Sequence, residues 1–395
     1  MSEKSKNANV SQYEYCFGCG ICVMVCHSGA ITMHLNDDGF YVPSVKEEKC
    51  VGCGLCLDVC SKEKSPQFEK SLQSWAAWSD DHYVRKKCSS GGIGFEIGKQ
   101  LIEHGYKAVG CRYDTEKQRA EHYVATSVEE FVQSIGSKYI QSYTVDAFQK
   151  IDKTQKYLIT GTPCQIDSFR RMIHRFKCEE NFILMDFFCH CVPSMYAWKA
   201  YIKMLEPKIG KVIYASWRNK FEYGWHDNWL MGIDGTKTSK TVDWTDNYNE
   251  LIKERITTIQ SRKSQGDLFY KLFLGDICMG PQCEKDCKYK YNHSAADIRI
   301  GDLWGKTYKE NEDGVSALVA YTEKGVSVIE HLKNVTLVEH PFDIVAEGQM
   351  KRNAKAKELR PLIIYMLRKN VPLDGAVFRI AFFVQRLITK IKSLS

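Results

Sequence analysis

The chain has 395 residues, 44% of them hydrophobic, and its 55 basic and 48 acidic residues give a formal net charge of +7. This length predicts two or three domains, since about 100–200 residues per domain is usual. No long Lys/Arg block or base-stacking motif is present, which argues against a nucleic-acid-binding protein. Seventeen cysteines behind an N-terminus without an apolar signal segment predict metal-ligating thiols in the reducing cytoplasm. No apolar run is long enough to predict a transmembrane helix.

A cysteine motif occurs twice near the N-terminus. The spacing C-x2-C-x2-C-x3-C runs through residues 16–26 and again through residues 50–60. In two-cluster ferredoxins, the first three cysteines of such a motif bind one 4Fe-4S cluster and the fourth binds the other cluster. The predicted ligand quartets are Cys16, Cys19, Cys22 and Cys60, and Cys50, Cys53, Cys56 and Cys26. Zinc is the alternative, but zinc sites do not require two interleaved quartets. We expect an α+β ferredoxin-like domain over residues 1–68.

Two polar, glycine-containing segments follow the linker at residues 61–67. Ser89, Ser90, Gly91 and Gly92 lead directly into a helical pattern over residues 95–102. Free N–H groups at the start of a helix attract anions, so a phosphate or pyrophosphate is expected here. A plain serine N-cap is the alternative. The second segment, residues 136–142, offers a lysine, a tyrosine and hydroxyl groups either to a cofactor or as an ordinary surface loop.

The middle of the chain predicts a β-α-β-α pattern. Residues 157–160 form a short apolar strand, and Thr162 followed by Pro163 marks the start of a helix. A buried strand over residues 182–188 and a helix over residues 195–205 come next. Such a pattern implies a parallel sheet, in which Cys164 and Cys189 both follow the carboxyl end of a strand. Ligands of open α/β sheets bind at that edge.

Further cysteines lie in the second half of the chain. Cys278, Cys283 and Cys287 fall within ten residues and could complete a third iron-sulfur quartet with Cys164 and Cys189. The alternative is ordinary buried thiols, the interpretation that we give to Cys88, Cys111 and Cys178. Residues 217–226 gather cations and aromatic rings on a predicted loop, which either binds a ligand or packs against its own domain.

The last part of the chain is predicted to contain one more β-α-β unit and a helical tail. The unit comprises strands at residues 316–321 and 335–338 with a helix at 325–332 between them. In the tail, an apolar helix over residues 376–391 carries only basic charges. It is expected to pack on its own domain or on a second subunit, and a membrane-surface anchor is the alternative.

The ordered set of motifs resembles the coenzyme F420 hydrogenase/dehydrogenase beta subunit family over roughly residues 10–345. The resemblance rests on the cysteine repeat and on the segments at residues 89–92, 137–142, 161–165, 189–194 and 301–305. It implies an α/β flavin-binding domain with a largely parallel sheet, formed by an N-terminal region at 72–155 and a C-terminal region at 156–345. The helical tail would span residues 346–395.

The resemblance also implies cofactors and their residues. FAD would be held by Ser89, Ser90, Gly91, Gly92, Ser137, Lys138, Tyr139, Ser142, Gly161 and Thr162. A third 4Fe-4S cluster would be ligated by Cys164, Cys189, Cys283 and Cys287, with Cys191 and Cys278 as alternatives. Lys138, His190 and Arg218 are candidates for substrate contacts or proton transfer.

These observations predict a cytoplasmic oxidoreductase in which clusters pass single electrons to FAD and FAD reduces a two-electron acceptor. A homo-oligomer is compatible with this prediction. A ferredoxin or flavodoxin is the expected donor, since a mild basic excess attracts acidic proteins. A small or glycosidic substrate is the expected acceptor, and the resemblance includes family members without a settled substrate that are associated with exopolysaccharide biosynthesis. The alternatives are an electron-transfer subunit without its own substrate and an oxidoreductase of coenzyme F420.

Overall fold

The structure is a computed structural model that describes residues 8–62, 64–220, 224–226, 229–239 and 256–393. Its strands, numbered in chain order, are β1 (Ile31–Leu35), β2 (Tyr41–Val45), β3 (Gln73–Ser79), β4 (Lys107–Asp114), β5 (Arg119–Ala125), β6 (Ser142–Tyr143), β7 (Tyr157–Thr160), β8 (Phe182–Phe187), β9 (Val212–Ser216), β10 (Leu230–Gly235), β11 (Ile259–Arg262), β12 (Ile298–Asp302), β13 (Ser316–Ala320) and β14 (Val335–Glu339).

The α-helices are named by their residues. They are Ile21–Met24, Leu55–Asp58, His82–Lys87, Ile93–Glu103, Val128–Phe131, Val145–Phe148, Pro163–Arg175, Met195–Ile209, Leu268–Phe273, Pro281–Lys285, Glu323–Glu330, Phe342–Val345, Arg360–Arg368 and Ala376–Lys392. None of the helices within the described ranges is both long and apolar enough to cross a membrane.

The two cysteine motifs fold into a small N-terminal module. Strands β1 and β2 form an antiparallel hairpin, in which Ile31 pairs with Val45. Each motif continues into a helix of one turn, Ile21–Met24 or Leu55–Asp58, and a glycine in the left-handed region precedes each of them. Gly20 has φ of 76° and Gly54 has φ of 72°, conformations that residues with a side chain adopt only with strain. The predicted ferredoxin-like α+β module is therefore present.

A nine-stranded sheet forms the centre of the molecule, with the order β14-β3-β13-β12-β8-β7-β4-β5-β6. Strands β4, β7, β8 and β12 are parallel neighbours. Strands β3, β13 and β14 pair antiparallel, and β4 also pairs antiparallel with β5. The prediction of a largely parallel sheet is therefore wrong: the sheet is mixed, and only its central part is continuously parallel.

The last β-α-β unit also differs from its predicted form, because an antiparallel strand lies between its two strands. Strands β13 and β14 are joined by the helix Glu323–Glu330, but β3 lies between them and pairs antiparallel with both. Ser74, Trp75, Ala76 and Ala77 of β3 are all buried, so this strand needs a neighbour on each side and a layer on each face. Strand β3 comes from the start of the main domain, which makes the sheet continuous across both predicted regions of that domain.

Helices cover both faces of the sheet. The helix Pro163–Arg175 begins where predicted, directly after Thr162. It buries Ile166, Phe169 and Ile173 in a core with β7 and β8. The helix Ile93–Glu103 packs with Phe131 into a separate core on the other face of the sheet. A third core joins the helix Met195–Ile209, the antiparallel sheet β11-β10-β9 and the two C-terminal helices.

Candidate functional site

The first predicted quartet comes together in the N-terminal module. Cys16, Cys19, Cys22 and Cys60 line one cavity of about 20 Å³. Burial, reinforced by the neighbouring Cys19 thiol, raises the pKa of Cys16 to about 12, and the same two causes raise the pKa of Cys60 to about 11. Four thiols sharing a cavity, two of them buried and two half-buried, resist ionisation unless a metal supplies positive charge, so this donor set fits an iron-sulfur cluster.

The loop around this quartet requires glycine for two separate reasons. Gly18 and Gly20 both have positive φ. In addition, a Cβ at Gly18 would overlap the side-chain amide of Gln141, and a Cβ at Gly20 would overlap the Thr144 hydroxyl. Both partners belong to the main domain, so the first motif is pressed against that domain.

The second predicted quartet lies at the outer side of the module. Cys53 is exposed, Cys26 and Cys50 are half-buried, and Cys56 is buried. Burial and the charge of Cys53 raise the pKa of Cys56, although backbone N–H groups oppose the shift. For Cys26, the raising effect of burial is outweighed by hydrogen bonds from Ser28 and from backbone N–H groups, which lower the thiol pKa.

The third predicted quartet assembles from three parts of the main domain. Cys164 begins the helix after β7, Cys189 follows β8, and Cys283 and Cys287 lie within and just after the helix Pro281–Lys285. Burial first, and then the thiols of Cys189, Cys283 and Cys287, raise the pKa of Cys164. The three other thiols are therefore neighbours of Cys164, as a set of four cluster ligands requires.

The two alternative ligands, Cys191 and Cys278, are also buried. Burial first, and then Cys283, Asp276, Cys189 and Cys278, raise the pKa of Cys191. Cys189, Cys283 and Cys287 affect Cys164 most among the thiols, whereas Cys191 borders Cys283 and Cys189. The choice between the predicted quartet and sets that include Cys191 or Cys278 therefore stays a prediction.

Two lysines beside the quartets were missed by the sequence analysis. Lys290 Nζ donates hydrogen bonds of 2.6 Å to the carbonyls of Cys189 and His190. Burial raises the pKa of Cys189 to about 11, although the charge of Lys290 acts in the opposite direction. Lys288 donates to the carbonyls of Ser61 and Lys62, next to Cys60. The sequence did contain a signal for these lysines, the alternation Lys288-Tyr289-Lys290 directly after Cys287. In an extended segment, alternate residues point to the same side of the chain.

One helix connects the first and the third quartet. Ser168 lines the first cavity, and its hydroxyl donates to Ser61 Oγ at 3.0 Å. Cys164 of the third quartet lies four residues earlier on the same helix, about 6 Å along its axis. Tyr289 is buried beside this turn: its hydroxyl donates to Asp167 at 2.7 Å, and its ring meets Phe17 edge-on. The two quartets are therefore separated by one helical turn and one tyrosine.

The two segments predicted to bind FAD meet each other. Ser137 donates to Ser89 Oγ from its N–H at 2.8 Å and from its hydroxyl at 3.0 Å. Ser90 Oγ lies 2.8 Å from the hydroxyl of Ser316. A Cβ at Gly91 would overlap the carbonyl of Ala77, so Gly91 permits the close approach of this segment to β3.

Lys138 has a local structural role. Its Nζ lies 2.9–3.1 Å from the carbonyls of Gln133, Ser134, Ile135 and Gly136, at the end of a short helical segment. Burial lowers the pKa of Lys138 to about 8. The ammonium group therefore organises its own loop, a role that the sequence alone did not indicate.

Arg218 lies fully buried between these two segments. It forms two hydrogen bonds with Asp302, of 2.9 and 3.2 Å, and donates to the Tyr139 hydroxyl at 3.3 Å. Its guanidinium lies over the rings of Trp229 and Trp304, 4.5 and 4.8 Å from their centroids. The tryptophans were missed because the aromatic partners come from distant positions in the chain. Residues 221–223 of the predicted loop lie outside the described residues.

A second cation, Lys220, holds the segment at residues 89–92. Its Nζ donates to the carbonyls of Arg85, Ser90 and Asp313 at 2.5–2.6 Å. Burial lowers the pKa of Lys220 to about 7, against the charges of Cys88 and Asp302. Arg218 and Lys220 thus bring positive charge to both sides of Ser89 and Ser90.

The remaining predicted residues lie nearer the third quartet. The Thr162 hydroxyl is 3.2 Å from Cys164 Sγ, and the Thr162 N–H donates to Gln165, whose amide donates to Ser142 at 3.2 Å. Gly161 directly precedes Thr162 at the end of β7. Ser142, Gly161 and Thr162 therefore surround the Cys164 turn rather than Ser89.

His190 is hydrogen-bonded on both ring nitrogens. Its Nε2 lies 2.8 Å from Asp276 Oδ1, and its Nδ1 lies 2.8 Å from Met350 Sδ. The ring of Phe273 meets His190 edge-on, and the same phenylalanine stacks on Tyr139 at 5.1 Å between centroids. His190 thus lies one ring away from Tyr139.

Comparisons with known proteins identify the family of the chain and its N-terminal cluster domain. The sequence matches the coenzyme F420 hydrogenase/dehydrogenase beta subunit N-terminal region at residues 74–149, its C-terminal region at 154–342, and a 4Fe-4S dicluster domain at 15–64. No curated protein sequence matches the chain. Among solved structures, a chain of the xenon-derivatized F420-reducing [NiFe] hydrogenase complex from Methanosarcina barkeri is 14% identical, with a TM-score of 0.44 over 77% of this chain and 90% of that chain. The chain belongs to the coenzyme F420 hydrogenase/dehydrogenase beta subunit family and carries a 4Fe-4S dicluster domain at its N-terminus.

Proposed function

We propose that this protein is an iron-sulfur flavoprotein oxidoreductase that takes single electrons from a ferredoxin-type donor and delivers them in pairs to an acceptor. The observation that carries the proposal is the order of the three thiol quartets. The second quartet has the exposed Cys53, the first is pressed against the main domain, and the third lies one helical turn beyond Ser168. This order offers electrons a route from the surface into the main domain.

The ligands we propose for the clusters are the predicted ones. The quartet of Cys164, Cys189, Cys283 and Cys287 would bind the third cluster, supported by the mutual proximity of these thiols. Lys290 and Lys288 would stabilise the thiolates, because each cation lies next to a ligand backbone.

FAD is the cofactor that we propose for the region around Ser89 and Arg218. Hydroxyls of Ser89, Ser90 and Ser137 suit phosphate groups, and the ring of Tyr139 suits a planar ring system. The Arg218 guanidinium, whose own hydrogen bonds go to Asp302 and Tyr139, would add positive charge nearby. When bound, FAD converts single-electron transfer into two-electron chemistry. Arg218 and Tyr139 would orient it, and the closed aromatic wall of Trp229 and Phe273 would exclude water from it.

His190 is our candidate for moving a proton at this site. The Asp276 carboxylate accepts from its Nε2, which fixes the orientation of the ring. An imidazole can give or take one proton through a ring nitrogen. Lys138 and Arg218 would contribute charge and position, since the hydrogen bonds of both are already directed to protein groups.

Two alternatives concern the acceptor. A small or glycosidic substrate, within exopolysaccharide biosynthesis, is the acceptor that we propose. Coenzyme F420 is the second candidate, favoured by the family to which the chain belongs. If the chain is instead an electron-transfer subunit, the isolated protein would show no turnover and would copurify with a catalytic partner.

Anaerobic purification tests the cofactors directly. We expect about twelve iron and twelve sulfide per chain, together with one flavin. Cys164→Ser should remove about four iron and leave the N-terminal clusters, whereas Cys178→Ser, the matched control at a buried thiol outside the quartets, should keep all of them. About eight iron in the unsubstituted protein would eliminate the third cluster, and protein without flavin would eliminate the flavoprotein assignment.

A further inference from the structure

The C-terminal helix Ala376–Lys392 has two apolar faces. Its inner face buries Phe378 and Ala381 in the core that also contains Trp198 and Ile363. A second apolar row, spaced alternately three and four residues apart, runs along the outer side. The exposed row consists of Val377, Ile380, Val384, Leu387 and Ile391, with Phe383 beside it, and these side chains are 37–66% exposed.

The exposed apolar surface is concentrated at this end of the chain. Two further large apolar side chains, Leu362 and Tyr365, are exposed on the preceding helix Arg360–Arg368. Elsewhere in the described chain, large exposed apolar residues occur singly, as at Val51, Leu72 and Tyr83. Scattered single residues need no explanation, but a contiguous row indicates a contact surface.

Charges along the outer row are of one sign. Every charged residue of the helix is basic: Arg379, Arg386, Lys390 and Lys392. Beside the row lies a groove of about 1030 Å³, which shares Phe383 with it and is also lined by Lys263, Lys271 and Lys357. The groove also contains two aspartates, Asp267, which accepts from the Tyr201 hydroxyl at 2.6 Å, and Asp374, so that basic residues outnumber acidic ones along it.

This charge pattern decides between two occupants. The spacing of the row is also that of a coiled-coil seam, so a second copy of the chain is the competing occupant. In a two-fold contact, however, the same patch faces itself and its basic residues would face basic residues. An anionic lipid surface satisfies both features, because the apolar row enters the acyl boundary while the cations meet the headgroups.

We propose that the protein docks peripherally on an anionic lipid bilayer through the outer face of the helix Ala376–Lys392. The helix is about 26 Å long and lies in the plane of the interface. Arg379, Arg386 and Lys390 contact the lipid headgroups, whereas Lys392 remains bridged to Glu358 at 2.5 Å. The docking goes beyond the proposed redox function and does not depend on the identity of the acceptor.

Vesicle flotation with the full-length, cluster-loaded protein tests the docking. Vesicles of phosphatidylcholine containing phosphatidylglycerol should bind the protein, and vesicles of phosphatidylcholine alone should bind it at least about tenfold more weakly. Ile380→Ser with Leu387→Ser should reduce binding at least about tenfold, because two exposed apolar side chains can no longer enter the lipid. Arg386→Gln should reduce it about fivefold and weaken its dependence on salt.

The matched control is Leu72→Ser, which removes a similarly exposed apolar side chain that is distant in sequence from the helix. This variant should bind vesicles as the unsubstituted protein does. All variants should keep the iron content of the unsubstituted protein. Equal binding to both kinds of vesicle, or no binding, would overturn the proposal. A dimer that dissociates on Ile380→Ser and Leu387→Ser, without vesicle binding, would assign the face to a second copy instead.

Discussion

At the scale of single residues, the main domain keeps charged groups in its interior. Burial alone would lower the pKa of Arg218, but Asp302 and Tyr139 outweigh it and raise the pKa, so the guanidinium stays charged. The planar fork of arginine makes two hydrogen bonds to Asp302 and lies over the rings of both Trp229 and Trp304. A lysine could provide only a point charge at this position.

We therefore expect Arg218→Met to lower the free energy of unfolding by about 3 kcal/mol, since it leaves the Asp302 carboxylate without its buried counter-ion. Urea unfolding followed by circular dichroism measures the loss. Asp302→Leu should cost a similar amount, because it leaves Arg218 buried without its counter-ion.

The double variant Arg218→Met with Asp302→Leu serves as the control for this pair. It buries no uncompensated charge, so it should be more stable than Asp302→Leu alone. Additive losses in the double variant would contradict a direct coupling between the two side chains.

At the scale of elements, the two cysteine motifs differ in their surroundings although their sequences repeat. Gly20 and Gly54 occupy equivalent left-handed positions before the helices Ile21–Met24 and Leu55–Asp58. A Cβ at Gly54 would meet nothing within 4 Å, whereas one at Gly20 would overlap Thr144, whose hydroxyl donates to the Cys19 carbonyl at 2.8 Å. The first motif is thus a contact with the main domain and the second is free of this constraint.

This asymmetry predicts unequal effects of the same substitution. Gly54→Ala should cost about 1 kcal/mol, the strain of alanine in the left-handed region. Gly20→Ala should cost about 3 kcal/mol, because overlap with Thr144 is added to the same strain. Anaerobic thermal unfolding of the cluster-loaded variants measures both. Equal losses would show that the first motif does not press against the main domain.

Elements whose signals are local could be predicted from the sequence. Strands β7 and β8 appeared as short apolar runs, and Thr162 with Pro163 marked the helix between them. The insertion of β3 between β13 and β14 could not be predicted, because antiparallel partners far apart in sequence leave no local pattern. In the site, Cys164 and Cys189 could be placed at one edge because parallel strands end together. The contacts of Trp229 and Trp304 with Arg218 could not, since these residues come from separate parts of the chain and leave no local pattern.

At the scale of the whole molecule, the N-terminal module is fixed to the main domain at several separate points. Gln141 Oε1 accepts from the Tyr41 N–H at 3.0 Å, and Ser194 donates to the Asp38 carbonyl at 2.6 Å. Arg360, on the first C-terminal helix, forms a salt bridge of 3.0 Å with Asp38. The module therefore contacts the sheet domain and the helical tail together, and the chain at residues 61–72 is a connection between bodies that already touch.

A cut in that connection should consequently leave the molecule assembled. A site-specific protease sequence inserted between Glu69 and Lys70, both exposed, would allow the cut. We expect the two fragments to co-elute in gel filtration, because the buried contacts around Gly18, Gly20 and Asp38 do not depend on the linker. The electron route that we propose from Cys53 to Cys164 would then survive cleavage, and reduction of the proposed main-domain cofactors by a donor should keep its rate. Gln141→Ala with Thr144→Val removes two of the contacts and should promote separation after cleavage, but not before it. Fragments that separate without these substitutions would contradict the fixed module and, with it, a route of constant length between the first and third quartets.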